Sequence, residues 1–165
     1  MMTTNTTLEI SKLWTASGKT YQVVYNGLFP GTQQYIDRDY EFDYVPARLK
    51  GKILIKTAGN DKMYEEDEIC LRFEVDRKVV VYVLHANKFT TKPAWLHNFK
   101  NTGDIVTRTD CSEATMKGIF TVFAREYPAG SIALGGCLPP GFLTPSFRQS
   151  GGENYCMYSV VVAVS

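Results

Sequence analysis

Apolar and polar residues alternate with period two in segment after segment of this chain, and turn residues punctuate the alternation. Successive side chains of a strand point to opposite faces, so each segment reads as a strand with one wet and one dry face. The pattern predicts strands at 20–26 (TYQVVYN), 35–45, 52–58 (KILIKTA), 68–75 (EICLRFEV), 78–85 (KVVVYVLH), 118–127 (GIFTVFAREY), 131–136 (SIALGG) and 155–164 (YCMYSVVVAV). The run 78–85 is apolar on both faces and predicts a central strand. Only Asp76-Arg77 separates it from 68–75, which predicts a hairpin. No segment carries a helical stripe over three turns, and a single short helical turn is expected at 110–118 with Ser112 as its cap. About eight or more closely spaced strands with little helix predict an all-β chain, an antiparallel β-sandwich of jelly-roll type, with a closed barrel as the competing arrangement. A polar N-terminal arm over 1–12 would precede one sandwich domain over 13–165. The stretch 135–154, rich in Gly, Pro and Ser, predicts a long loop, and loops of that length are usually functional or flexible.

The stretch YIDRDYEFDYVP, residues 35–46, reads as two interleaved rows. Asp37, Asp39, Glu41 and Asp43 would line one face of a strand, and Ile36, Arg38, Tyr40, Phe42 and Tyr44 the other. A glycosidase needs two carboxylates held across a cleft with their pKa values driven apart. A regular acidic row has no such asymmetry, so it reads as a solvated face balanced by Lys52 and Lys56 on a neighbouring strand. Arg38 is the odd member of the aromatic row, and a charge there requires a partner or a ligand.

A chain of 165 residues is long enough to bury a core without staples. A formal net charge of +1 gives no global pull toward nucleic acid or an anionic membrane. No apolar run approaches the roughly 20 residues of a membrane-spanning helix. The start MMTTNTTLEISKLW lacks the basic and apolar regions of a signal peptide. Aromatic residues make up 13% of the chain, which suits half-buried strands and supplies flat surfaces on which a sugar ring can stack.

Cys70, Cys111, Cys137 and Cys156 form no CxxC, and His85 and His97 are the only histidines, which argues against structural zinc. Cys137 and Cys156 flank the Gly/Pro-rich loop and are the candidate disulfide in an oxidising compartment; four reduced thiols are the alternative. Asp61, Glu65 and Glu66 in AGNDKMYEEDEI are weak calcium candidates, because the segment is rich in oxygen ligands but lacks the EF-hand register. An exposed turn shaped by Asn60-Asp61 is the simpler reading. The segment HANKFTTKPAWLHNF, 85–99, holds both histidines, Lys88, Lys92 and Trp95. Trp95 is either a plug in the core or the wall of a ligand groove with His85, Lys88 and His97 as polar contacts. No Ser or Cys stands in triad order with either histidine.

Four pieces, YIDRDYEFDYVPARLKGKILIKTAGNDK, VVVYVLHANKFTTKPAWL, FAREYPAGSIALGG and MYSVVVAV, spread over roughly 35–164, resemble a β-sandwich accessory module found beside secreted polysaccharide-degrading enzymes. The matching positions include Asp37, Arg38, Asn60, Asp61, Lys62, Pro93, Trp95, Pro128, Gly130, Gly135 and Gly136. The resemblance implies an extracellular, non-catalytic module that binds glycan or serves as an accessory domain, and it brings no catalytic residues and no cofactor.

The sequence therefore predicts a non-catalytic, carbohydrate-binding-module-like sandwich. Ligand contacts are expected from Arg38 and, on the loops 60–68 and 85–97, from Tyr64, His85, Lys88, Trp95 and His97. The alternative is a structural or adhesion subunit, binding neighbouring protein subunits or forming a homo-oligomer through the arm and the 135–154 loop. A hydrolase or lyase built on the acidic row and the histidines is the third reading.

Overall fold

The computed structural model describes residues 7–165. Among the described residues nine strands form two antiparallel sheets, the layers of a β-sandwich. The strands are β1 (Ile10–Thr15), β2 (Gln22–Val24), β3 (Ile53–Lys56), β4 (Ile69–Val75), β5 (Val79–Ala86), β6 (Lys100–Ser112), β7 (Lys117–Tyr127), β8 (Gly130–Gly135) and β9 (Ser159–Val164). The larger sheet runs β2-β3-β9-β5-β7-β6 and the smaller β1-β4-β8. As predicted, β5 is interior, paired with β7 on one side and β9 on the other. Its Val81 and Val83 join Val160 and Val162 of β9 and Leu71 and Phe73 of β4 in one continuous core. Burying each such side chain contributes about 1.5–3 kcal/mol.

Four expectations give way to the structure. The link at Asp76-Arg77 is not a hairpin turn: β4 pairs with β1 and β8, β5 with β7 and β9, so the chain crosses between layers there. The helical turn at 110–118 is instead the tight turn between β6 and β7, with Met116 at φ 60°. A helix occurs where none was predicted, α1 (Pro145–Ser150). Thr144 caps it by accepting from the Phe147 amide, Pro145 opens it, and Gly151 closes it at φ 67°. The 135–154 segment is therefore a structured excursion: Phe142 and Tyr155 pack on Phe89 at ring separations of 5.3 and 4.7 Å, and Phe147 packs on Phe142 and Tyr155 at 6.1 and 5.4 Å.

The fourth correction concerns 35–45, which is not one strand. The Gln34 amide donates to the Tyr40 carbonyl, and Phe42 and Thr32 pair likewise, so 31–42 folds back on itself around a turn. The turn breaks the two-row parity. Tyr35, from the nominally wet row, is buried, while Tyr44, from the dry row, is 53% exposed. The strap is stitched to the large sheet by a Tyr35–Thr57 bridge and by a Phe42–Arg108 bridge on β6.

Of the proposed arm, residues 10–12 belong to β1 and Leu8 is buried in the core, while residues 1–6 lie outside the described residues.

Candidate functional site

The strap, the turn Gly59–Met63, the start of β7, the inward side of β6 and the approach to β9 converge on one polar pocket of about 250 Å³. Tyr35, Tyr40 and Tyr155 supply its rings, and Arg38, Lys62, Arg108 and Lys117 its cations; Glu153 stands at the rim.

Each cation is held in place. Arg108 is only 3% exposed; its Nε donates to Asp110 Oδ1 at 2.5 Å, and its guanidinium lies 3.9 Å from the Tyr40 ring centroid. Gly118 leaves room for it. At φ 71° it accepts a backbone that side chains rarely adopt, and a Cβ there would stand 2.9 Å from Arg108 Cγ. Lys117 shares Asp110 at 3.2 Å. Arg38 pairs with its neighbour Asp37 at 3.2 Å and donates to Asn60 Oδ1 at 2.5 Å. Asp37 in turn accepts from the amides of Gly59 and Asn60 at 2.6 and 3.1 Å, fixing the turn that carries Lys62. Lys62 Nζ donates to the carbonyls of Gly152 and Tyr155 at 2.9 and 3.0 Å. Burial lowers the Lys62 pKa, and the charges of Arg38 and Arg108 push the same way. Among the described residues no carboxylate lies within ion-pair distance of Lys62.

The pocket floor is rigid. The Tyr35 hydroxyl donates to the Met157 carbonyl at 2.6 Å, and Thr57 Oγ1 to the Tyr158 carbonyl at 2.8 Å. These bonds hold the backbone of 157–158 as it enters β9.

Of the sequence-predicted contacts, Arg38 lines this pocket, and Lys88 reaches its back wall, with Nζ 4.7 Å from the Tyr155 ring centroid. The other four lie elsewhere. Trp95 is turned inward: its Nε1 donates to the Gly136 carbonyl, and its ring meets Phe99 and Tyr158 edge-on. Gly135 is glycine because the indole occupies the place of a Cβ. Trp95 is thus the core plug of the two readings. His85 is fully buried and touches no groove. Its Nε2 meets the Cys137 carbonyl at 3.0 Å and its Nδ1 faces Lys92 Nζ at 3.2 Å, so Nδ1 accepts and Nε2 donates. Burial and the Lys92 charge drive the His85 pKa down to about 3, and burial lowers Lys92 to about 8. Tyr64 is half-buried against the core, and His97 is exposed at the end of the turn Ala94–Asn98.

The loops around 65 and 94 do meet, together with 139–143, in a second groove of about 570 Å³. Its walls are Glu65, Glu66, Asp67, Pro139, Pro140 and Leu143 rather than aromatic rings. Glu66 is engaged there, accepting from the Ala94 amide at 2.7 Å. Asp61, the third calcium candidate, points inward instead. It is 2% exposed and accepts from Ser17 Oγ (2.7 Å), Lys19 Nζ (3.0 Å) and the Tyr21 hydroxyl (2.5 Å), so its oxygens are already occupied. All four cysteines are free thiols; Cys137 Sγ approaches the Cys156 carbonyl at 3.5 Å, so it faces that residue's backbone and no disulfide forms.

Asp39, Glu41 and Asp43 of the acidic row are exposed, and among the described residues no ion pair joins them to Lys52 or Lys56. Sequence reasoning also passed over Arg108, Lys117 and Trp14. Trp14 is 43% exposed on β1, with the Arg72 guanidinium 4.6 Å from its ring centroid.

No family model and no curated protein matches the chain. Solved structures do. A β-glucuronidase from glycoside hydrolase family 2 matches over 93% of this chain with a TM-score of 0.72 and 23% identity. A GH138 enzyme targeting the pectin rhamnogalacturonan II matches over 100% of it with a TM-score of 0.54 and 12% identity. The chain spans only 14% and 17% of those two proteins. It therefore shares its β-sandwich fold with a minor part of each glycoside hydrolase. The carbohydrate association is one of fold.

Proposed function

We propose that the chain is a non-catalytic glycan-binding module, and that the pocket between Tyr40, Arg108, Arg38 and Lys62 is its binding site. The observation that carries this reading is a pre-formed concave site combining tyrosine rings with fixed donors. Sugar recognition needs both: an apolar face for the ring and aligned hydrogen-bonding groups for its substituents. At about 250 Å³ the pocket is smaller than the roughly 300–1,000 Å³ typical of drug-sized ligands, which suits one sugar residue at a chain end or branch. The fold likeness to parts of two glycoside hydrolases supports the same class of ligand.

The states of the nearby acids and bases favour binding over turnover. Asp37 and Asp110 are each clamped by an arginine, so their oxygens are spent on fixing the site's cations. His85 has both nitrogens engaged and is sealed from the pocket.

Affinity electrophoresis through gels containing neutral and acidic polysaccharides tests the reading. At least one polysaccharide should retard the protein, free oligosaccharide should reverse the effect, and Arg38→Ala should abolish it. A panel that leaves migration unchanged overturns the proposal.

A further inference from the structure

The pocket's charge arrangement points to more than a generic sugar. Arg38 is matched by Asp37, and Arg108 and Lys117 by Asp110, whereas among the described residues Lys62 is bound only by two neutral carbonyls. A half-buried ammonium loses hydration that carbonyl oxygens restore only in part, and a negative group beside it recovers the remainder. Arg38, Arg108 and Lys117 line the same space and oppose that ammonium, so the unliganded pocket has an unmet demand for negative charge.

We infer, resting on the glycan reading above, that the pocket selects a saccharide carrying an anionic group, which it seats against Lys62 and Arg38 while the sugar ring lies against Tyr40. The ligand class is an acidic sugar residue, with the anion a uronate carboxylate or a sulfate ester. Lys62 makes the charged contact as a point charge, and Arg38, half-exposed at the rim, completes it with its remaining N–H groups. Glu153 at the rim works against the ligand and limits its affinity.

The test is isothermal titration of the intact protein with trigalacturonate, a sulfated galactotriose, neutral galactotriose and inorganic sulfate, repeated with Lys62→Gln and Glu153→Gln. At least one acidic trisaccharide should bind about tenfold or more tighter than the neutral one, as expected for a charge-assisted contact. Which of the two binds tighter assigns the anion. Lys62→Gln should erase the preference; Glu153→Gln, a surface change that leaves the fold alone, should strengthen acidic binding only. Equal binding of neutral and acidic trisaccharides, unchanged in both variants, overturns this inference and leaves the glycan reading standing. Binding of inorganic sulfate with no saccharide bound, or no binding at all, overturns the glycan reading and this inference with it.

Discussion

The guanidinium carbon of Arg108 lies over the Tyr40 ring, 3.9 Å from its centroid, while its Nε is locked to Asp110. This stack joins the strap to β6 and forms one wall of the pocket. Tyr40→Ala removes both the platform and the Arg108 contact. It should cost about 1–2 kcal/mol of stability, the upper range for a desolvated cation–π contact, and abolish glycan binding. Tyr40→Phe keeps the ring and should retain most of both. Equilibrium denaturation with a binding assay on the same samples separates the two effects.

Asp61 holds three donors at the end of the sandwich: Ser17, Lys19 and Tyr21. Asp61→Ala strands the Tyr21 hydroxyl and leaves Lys19 without its carboxylate, a loss of about 2–4 kcal/mol. The Lys19 side chain is 39% exposed and partly screened by solvent, so the buried tyrosine carries most of that figure. Asp61→Asn, which keeps one accepting oxygen, should lose less. Urea unfolding midpoints check the order, and calcium should shift neither wild type nor variant.

His85 makes stability depend on pH in a defined direction. Its pKa falls from 6.5 to about 3 on folding, so between those values the unfolded chain binds more protons than the native one. Stability from this group is full above about 6.5 and is lost as pH falls toward 3. The loss is on the order of a few kcal/mol. Lys92 acts at the other end. Its folded pKa of about 8 lies below the ordinary 10.5, so its charged form is strained in the fold, and stability should rise from about pH 8 to 10.5. His85→Gln should flatten the acid limb of a stability-versus-pH curve and spare glycan binding at neutral pH.

Trp95 and the pocket are separable. Trp95→Ala empties a packed site and should cost about 3–5 kcal/mol. Trp95→Phe should keep the fold and leave glycan affinity unchanged, since the indole faces Gly135, Phe99 and Tyr158. A selective loss of binding in a stable Trp95→Phe protein would put the site at the loops instead.

The sandwich was legible wherever burial imposes alternation. The strands β3, β4, β5, β7, β8 and β9 fall within or beside predicted runs because one or both faces are dry. The longest strand, β6, was invisible because only Val106 and Arg108 are buried along its 13 residues. It is an edge strand whose register shifts twice, so its sequence reads as polar loop. β1 escaped for the same reason, with a bulge between Ser11 and Trp14. The hairpin assignment at Asp76-Arg77 failed because a short link looks the same whether it joins neighbours or crosses layers. The α1 signals, Thr-Pro followed six residues later by Gly, were present in the sequence and hidden by the loop's composition.

The site was legible through Lys88, at its back wall, and above all through Arg38. Its position in an aromatic row marked a charge in need of a partner, and the structure supplies Asp37 and Asn60. Arg108 and Lys62 carried no such mark, because their neighbours in the pocket come from residues 35–40 and 153–157, far away along the chain. His85 and Trp95 drew attention by type, yet their chemistry is spent on the core. Side-chain identity does not reveal which way a residue of a buried strand or a capping turn will point.

Whether a glycan binds between Tyr40 and Lys62 is decided by an amide chemical-shift map recorded during saccharide titration. Saturable shifts should be confined to Tyr35–Tyr40, Gly59–Lys62, Arg108 and Glu153–Met157, and all should be lost in Arg38→Ala. Shifts centred instead on Trp14, or on the groove at Glu65–Asp67 and Pro139–Leu143, would contradict it.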